Sequence, residues 1–595
     1  MTKEFSQQAL KIIEKRYLAR DEEHNIIEDH VQMFRRVADA LGEDKKSADE
    51  LFEIMINKKF TPAGRTLANA GGPTKLVSNC IVLHFDDSMD SIFQTLKDAG
   101  LLQQQGSGLG FAWHRLRPAG TKAKKNRGIA SGPVSFMKVY NQAFGVIKQQ
   151  NRHGANMGVM SIDHPDILEF IHCKEKEGEF QNFNISVGIT DKFMTAVKEN
   201  DPNPWYCEFP CNREDNFTGE VQRMLPRRIK RDNREVPVEI TDVRMTARQL
   251  FDEIVKAAWT NGEPGIVFLD TINKTNPLPG LGKLHASNPC GEQFLHDGDV
   301  CNLGSINLGE FVKDGDLDWY GLDKTVTLAV MALDNVIDQT DHCVDRVNNS
   351  MKGNRRIGLG VMGFADMLVR LKIPYGSLES FNLAAELMLN INETAYEESL
   401  KRGKEKGTFK NIDKSIYKGT TLRNAARTSI APTGTISMMF DCSSGIEPHF
   451  ALAYKKTVMN GTVFNYINED LKQALAERGL LTDELVEKIV KRGTVQGMEE
   501  IPEDIRKVFV CAMDLTAEDH INMQATFQAR TDNSISKTIN FPYEATLEDV
   551  EKGYMMAWET GCKGCTVYRD GSRNVQVLET EATKDRSCKD GTCEL

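Results

Sequence analysis

No apolar run in this chain approaches the roughly 20 residues that a membrane-spanning helix needs. The opening Met1-Thr2-Lys3-Glu4-Phe5 lacks the apolar stretch of a secretory signal. Positive charge is not in excess: 74 Lys and Arg stand against 85 Asp and Glu, a formal net charge of −11. An acidic balance argues against general nucleic-acid binding, which favours a basic face. A cytoplasmic enzyme is expected, with no membrane and no direct nucleic-acid partner. Gln105-Gly106-Ser107-Gly108-Leu109-Gly110 looks like a phosphate loop but lacks the P-loop lysine. His153, His164 and His172 are too far apart in sequence for a compact metal site. Cys207 and Cys211 have no second cysteine pair nearby to complete a zinc set. No metal site is expected.

Cysteine is the residue present in unusual number. There are thirteen in 595 residues, an odd count in a chain too long to be a disulfide-stapled mini-protein. In a reducing compartment such cysteines are catalytic, metal-binding or simply buried. One stretch organises them. Asn288-Pro289-Cys290-Gly291-Glu292 packs an amide, a thiol and a carboxylate into five residues. Its proline and glycine favour a turn that can hold all three groups toward one point. Cys301 follows eleven residues later. The alternative is a structural loop with buried thiols. Cys80 opens an expected strand, Cys80-Ile81-Val82-Leu83, where it either faces a cavity or sits in a core.

The rest of the chain reads as an alternation of helices, strands and loops. Residues 1–60 carry helical apolar spacing. Asp86 to Ile92 has the serine and acidic residues of a helix start, and residues 178–189 form a polar loop entering a strand. Residues 201–240 read as an irregular insertion. Ala431-Pro432-Thr433-Gly434-Thr435-Ile436-Ser437 combines hydroxyls with the free N–H groups of an expected helix start, which suits either an anion cradle or an ordinary capped turn. Residues 460–510 read as amphipathic helices, and 561–571 as a compact turn-rich segment. After Leu578 the chain is charged and polar, a mobile tail. It ends in Cys588-Lys589-Asp590-Gly591-Thr592-Cys593. Two thiols on a tether with a glycine between them suit thiol–disulfide exchange.

Seven motifs, in order, then carry a resemblance. They are A-S-G-P-V-S-F at 130–136, N-P-C-G-E at 288–292, R-R-I-G-L-G-V-M-G at 355–363, A-P-T-G-T-I-S at 431–437, S-G-I-E-P at 444–448, S-K-T-I-N at 536–540 and K-G-C-T-V-Y-R-D-G-S-R at 563–573. Together they resemble the catalytic subunit of ribonucleotide reductases, most like the class II adenosylcobalamin-dependent forms. The resemblance implies an α/β fold, a ten-stranded barrel of two parallel five-stranded halves with a central catalytic loop. The expected division is an N-terminal helical segment at 1–60, the barrel at 61–578 and a redox tail at 579–595.

It also implies roles. Cys290 would carry a thiyl radical, Glu292 would be the general base, and Asn288 would orient the sugar. Cys80 and Cys301 would supply two electrons and end as a disulfide. Cys588 and Cys593 would reduce that disulfide and pass the oxidation to a thioredoxin-like reductant. Thr61, Asn79, Pro432, Thr433, Gly434, Thr435 and Ser437 would bind the ribonucleotide substrate. Asp87 and Arg117 would contact a deoxynucleoside triphosphate effector at a homodimer interface, with residues 179–184 linking effector to substrate. No segment is seen for the ATP-binding cone of some relatives.

The radical source is read by exclusion. Class I relatives use two adjacent tyrosines near the end of the barrel, whereas this chain has Val567-Tyr568-Arg569. The cysteine-bearing tail replaces the glycyl-radical segment of class III. The D-x-H-x-x-G signature of a histidine-ligated cobalamin is absent, and class II does not require it. Cys565 departs from the usual motif; with Cys562 it is either an extra relay or a tolerated small residue. The alternatives are a class I subunit served by a separate metal-bearing protein, or a non-catalytic zinc or thiol regulatory protein.

Overall fold

The structure is a computed structural model that describes residues 3–78, 80–121, 128–149, 152–176, 178–207, 230–231, 234–235, 245–457 and 463–572. Asn79, Cys211, Cys588 and Cys593, with most of the 201–240 segment and the whole 579–595 tail, lie outside the described residues. Among the described residues no helix is long and apolar enough to cross a membrane.

The chain opens with helices α1 (Gln7–Arg16), α2 (His30–Leu41) and α3 (Lys45–Ile56). Each start is fixed by a side-chain acceptor that satisfies an otherwise orphan N–H. Ser6 accepts from Ala9 N at 3.1 Å, Asp29 from Gln32 N at 2.8 Å and Asp44 from Ser47 N at 2.7 Å. The apolar side of α2, including Phe34, Val37 and Leu41, is wholly buried, as its helical spacing requires.

Strand β1 (Phe60–Pro62) follows, then β2 (Cys80–Leu83), helix α4 (Met89–Gln104), β3 (Gly108–Ala112), helix α5 (Pro133–Val146), β4 (Asn156–Ser161) and β5 (Phe183–Ile189). Ser88 caps α4 through its Oγ, 3.2 Å from Ser91 N, so the serine and acidic cluster does start a helix. The glycine run at 105–110 enters β3 and is not a phosphate loop. Helix α6 (Ala247–Asn261) leads to β6 (Gly265–Phe268), and two short strands, β7 (Ala286–Ser287) and β8 (Phe294–Leu295), precede β9 (Val300–Asn307). After helix α7 (Trp319–Gln339) come β10 (Arg356–Met362), helix α8 (Leu378–Lys406) and the short helix α9 (Gly434–Phe440). Helix α10 (Ala517–Gln528), β11 (Thr538–Phe541), helix α11 (Leu547–Glu559) and β12 (Gly564–Arg569) follow.

Two expectations fail locally. Residues 463–467 form a strand paired with Ala453–Thr457, not the start of a helix, because Val463-Phe464-Asn465-Tyr466-Ile467 has the β-branched and aromatic content that suits a pleated surface. Residues 564–569 form a barrel strand and not only turns; Cys565, Val567 and Arg569 are buried while Thr566 is exposed, a two-residue alternation.

The strands close on themselves in two parallel halves. β2, β3, β4, β5 and β6 pair in parallel, in that order. β9 and β10 pair in parallel, and β11 pairs in parallel with β12. Between them runs the segment 428–430, bridged in parallel to β10 at Leu359–Thr428 and to the approach of β11 at Ile430–Ile535. That makes five strands in each half. Two antiparallel joints unite the halves: β2 with β9, and β6 with β12. β1 lies antiparallel against the later part of β9, Thr61 opposite Ser305. The main apolar core fills the layer between the strands and the surrounding helices. A second, smaller cluster, with Cys80, Cys301, Val82, Phe294 and Ala431, lies inside the barrel.

Candidate active site

A hairpin is threaded through the barrel. β7 and β8 pair antiparallel, Ala286 with Leu295 and Ser287 with Phe294, and the turn between them carries Asn288 to Gln293. The turn holds its own shape. Asn288 N donates to Gln293 O at 3.1 Å, Gln293 N to Asn288 Oδ1 at 3.0 Å and Gly291 N to Asn288 O at 3.1 Å. Gly291 has φ +83°, a left-handed geometry that glycine adopts without strain. Cys290 is exposed at the tip.

Both halves of the barrel grip this loop. From the first half, Asn184 Nδ2 on β5 donates to Pro289 O at 3.0 Å. β3 passes so close that a Cβ on Gly110 would stand 1.8 Å from Ser287 O. From the second half, Ser534 N and Ser429 Oγ donate to Glu292 O at 3.0 and 2.9 Å. Asn533 Oδ1 accepts from Phe294 N at 2.9 Å, and its Nδ2 donates to Gln293 Oε1 at 2.6 Å. A Cβ on Gly358 would stand 2.6 Å from Gln293 Nε2 and 3.2 Å from Cys301 Sγ.

The reactive groups meet behind Cys290. Asn288 Nδ2 donates to Glu292 Oε1 at 2.8 Å and to Cys80 Sγ at 3.6 Å. Glu292 is 1% exposed, and its Oε2 is buried with no hydrogen-bond partner. Burial pushes its carboxyl up to about 7, with the Asn288 amide opposing. A carboxylate that titrates near neutrality with one oxygen uncommitted is fitted to take a proton. Cys80 and Cys301 are direct cross-strand partners at the β2–β9 joint. In an antiparallel pair that places their Cα atoms about 4.5–5.5 Å apart, inside the range a disulfide spans. Both are reduced and buried, and burial raises both thiols well above the ordinary value, with the Glu292 carboxylate adding to the rise at Cys80. Behind Cys301, the buried Arg356 guanidinium donates to Asp299 Oδ2 at 2.6 Å.

The remaining candidates fall in two places. Thr61 is buried in β1, and Ala63 and Ala431 both border the inner cluster that contains Cys80 and Cys301. The segment after the Thr61 strand and the start of the 431–437 turn therefore pack against one inner cluster. Thr433 has φ +52° and accepts from Gly445 N at 2.8 Å through Oγ1 instead of capping its own helix. Gly434 is exposed, and a Cβ there would meet nothing within 4 Å. Ser437 Oγ lies 2.9 Å from Ser444 Oγ. Asp87 and Arg117 form a separate pair beyond β2 and β3: Arg117 Nε donates to Asp87 Oδ2 at 2.6 Å. Cys562 and Cys565 belong to the outer core, not to the inner cluster with Cys80 and Cys301, which favours tolerated small residues over an extra relay.

Sequence reasoning missed Asn184, Ser429, Asn533 and Ser534 as supports of the turn. Asn184 stood in the loop singled out at 179–184, and Asn533 and Ser534 in the segment before S-K-T-I-N; only the fold shows that they converge.

Comparison with known proteins agrees with this fold. Residues 78–422 and 417–568 match the family described as ribonucleotide reductase, barrel domain, and residues 3–75 match its all-alpha domain. The vitamin B12-dependent ribonucleoside-diphosphate reductase of Mycobacterium tuberculosis (strain CDC 1551 / Oshkosh) is 38% identical over 588 residues, covering 97% of this chain and 81% of that protein. The protein of the same name from Thermoplasma acidophilum is 37% identical over 639 residues, covering 96% and 79%. The class Id ribonucleotide reductase alpha subunit of Actinobacillus ureae has a similar fold, with TM-score 0.77 at 20% identity over 98% of each chain. With a hairpin-borne cysteine inside a barrel of two five-stranded halves, and with family matches over nearly its whole length, this chain belongs to the ribonucleotide reductase family as a catalytic subunit.

Proposed function

We propose that this chain reduces ribonucleoside diphosphates to 2′-deoxyribonucleotides by thiyl-radical chemistry, with adenosylcobalamin as cofactor. The observation that carries the reading is the cluster in which Asn288 bridges Glu292 and Cys80, behind an exposed Cys290. Cys290 abstracts the 3′-hydrogen of the ribose as a thiyl radical. Glu292 takes the 3′-hydroxyl proton through its free Oε2, and Asn288 orients both the carboxylate and the sugar. The 2′-hydroxyl leaves as water. Cys80 and Cys301 give up two electrons and two protons and become a disulfide, and Cys290 recovers its hydrogen from the 3′ position. The sum is one ribonucleotide and two thiols converted to one deoxyribonucleotide, one disulfide and water. Cys588 and Cys593 on the 579–595 tail then reduce the pair by exchange, and a thioredoxin-like protein restores them.

Thr61 and the 432–437 turn hold the substrate phosphates, and Asn79 is a further substrate contact; the left-handed Thr433 and the open Gly434 leave room for an anion there. Diphosphate is favoured because the similar proteins from Mycobacterium tuberculosis and Thermoplasma acidophilum carry that name. The same names supply the cobalamin. The residues fit a group that brings the radical from outside the chain. Cys290 is exposed while Cys80 and Cys301 are buried. β12 leaves Thr566 exposed on the face opposite Cys565 and Val567. Beside Tyr568 stands Arg569 and not a second tyrosine, and Arg569 lies 4.0 Å from the Trp259 ring centroid. When bound, the cofactor supplies the radical that Cys290 receives.

Asp87 and Arg117 are the effector contacts. A homodimer is supported by apolar side chains exposed together on α4 and α5, with Phe93, Leu101 and Val146 around a cavity of about 620 Å³. The cytoplasm is the proposed location. The decisive experiment is CDP reduction by the purified chain with dithiothreitol, with and without adenosylcobalamin. Turnover that requires the cofactor and vanishes in Cys290→Ala is expected. Turnover that instead requires a separate metal-bearing protein would overturn the cofactor.

A further inference from the structure

Lys563 is 4% exposed, and its ammonium is buried just ahead of β12. A buried lysine is costly and usually meets a carboxylate. Here Nζ donates to two successive main-chain carbonyls, Asp532 O and Asn533 O, each at 2.7 Å. The carboxylate of Asp532 is itself occupied, accepting from Arg427 Nη2 and Arg427 N, both at 2.8 Å. Gln528 on α10 adds a neutral donor to Asn533 O at 2.9 Å. The thiols of Cys562 and Cys565, the flanking groups, are buried. A charge has therefore been taken out of water to hold one turn of backbone.

That turn, 532–534, supports the reactive hairpin. Asn533 receives Phe294 N and holds the Gln293 side chain, and Ser534 N donates to the carbonyl of Glu292 itself. The turn is tied to the barrel by Asn533 N, which donates to Thr428 O at 3.0 Å, and by Asp532 N, which donates to Thr428 Oγ1 at 2.9 Å. Lys563 adds a cross-link from the other side, out of the β6–β12 joint, where Phe268 N donates to its own carbonyl at 2.9 Å. We propose that Lys563 is a positioning residue for Glu292: its ammonium fixes the 532–534 turn, and the turn fixes the depth at which Glu292 sits. The proposal rests on Glu292 being the base assigned above.

The proposal accounts for a cation where an apolar side chain would pack at lower cost. Without Lys563, two carbonyls lose their charged donor and the 532–534 turn loosens. Glu292 then shifts, and water reaches its buried Oε2. A displacement of about 1 Å at a reacting group can cost on the order of a hundredfold in rate.

The test is Lys563→Met, compared with the parent and with Glu292→Gln. Two properties are read in each: kcat and KM for CDP in the cofactor-loaded enzyme, and the infrared carboxyl band of Glu292, titrated without cofactor and identified by its loss in Glu292→Gln. The expected result is kcat lower by about tenfold to a hundredfold with KM nearly unchanged. The Glu292 titration should move down from about 7 toward its ordinary 4.5. Should Lys563→Met not fold, Lys563→Gln, which keeps one neutral donor, is read in the same way. A folded variant with a lower Tm but the parent's kcat and Glu292 titration would overturn the proposal and leave Lys563 a purely structural residue. If Glu292→Gln retained full activity, the base assignment would fail instead, and the infrared titration would still report whether Lys563 sets the environment of Glu292.

Discussion

Cys80 and Cys301 face each other across the antiparallel joint between the two halves of the barrel, the first residue of β2 against the second of β9. Cys301 follows Cys290 by eleven residues, whereas Cys80 arrives from more than two hundred residues upstream. In an enzyme reduced and then freed of reductant, CDP should yield product in proportion to active sites and then stop. Peptide mapping by mass spectrometry should find Cys80 joined to Cys301. Cys301→Ser should abolish even that first burst, and a burst of parental size would remove the pair from the reaction.

Glu292 should give the rate a rising limb centred near pH 7, since the base must be ionised to accept a proton. Glu292→Gln should lower kcat by about 10²- to 10⁴-fold. Stability moves in the opposite sense. The folded state raises this carboxyl from 4.5 to about 7, so it binds the proton more tightly than the unfolded chain does. Stability is therefore full below pH 4.5 and falls as pH climbs to about 7. Above that, Glu292→Gln should be the more stable protein, by an upper bound of about 3 kcal/mol. Thermal melts at pH 4.5 and pH 8 measure the difference.

Gly110→Ala should behave as an active-site substitution although the residue lies on the barrel wall. Its Cβ would meet a backbone oxygen, Ser287 O, at 1.8 Å, and a main-chain atom has little freedom to yield. The hairpin must shift, and kcat should drop by about a hundredfold or more. Gly291→Ala is the informative contrast: its Cβ meets nothing within 4 Å, and only the positive φ penalises it, by about 1–2 kcal/mol. Equal losses in the two variants would contradict the threaded geometry.

Cys565→Ala should keep nearly full turnover. The thiol packs in the outer core, on the other side of the wall from Cys80 and Cys301, so its removal should cost about 1 kcal/mol of stability and no electrons. A loss of multiple turnovers with the first burst intact would instead make it part of the relay.

Phe93→Glu places a charge in the exposed apolar face of α4. Sedimentation should show the parent as a dimer and the variant as a monomer, with effector response lost and basal CDP reduction reduced less. A monomeric parent would remove the homodimer.

The elements legible in the sequence were those specified by local chemistry. Ser88 with its acidic neighbours marks a helix start, Cys80-Ile81-Val82-Leu83 reads as a strand, and proline with glycine around Cys290 demands a turn; each is found in the fold. The barrel itself came from resemblance, because nothing local in Thr428-Ser429-Ile430 says that it runs between β10 and β11. Glu292 and Asn288 were visible because they share a motif with Cys290. Asn184, Ser429 and Ser534 were not, since their part is defined by partners more than a hundred residues away, and Lys563 was not, since it reaches the hairpin only through the 532–534 turn. The strand at 463–467 was misread as helix because a short apolar run carries too few turns to reveal its period.

The hairpin takes its contacts from both halves: Asn184, Cys80 and Gly110 on one side, Ser429, Ser534 and Gly358 on the other. It works as a caliper set between two rigid jaws. If one five-stranded half slid against the other, the distance between Cys80, carried by the first, and the Glu292 backbone, carried by the second, would change directly. Anything that alters the fit of the two joints, including the disulfide proposed for Cys80 and Cys301, would then be felt at the Cys290 hairpin. Chemistry and mechanical closure would share one seam.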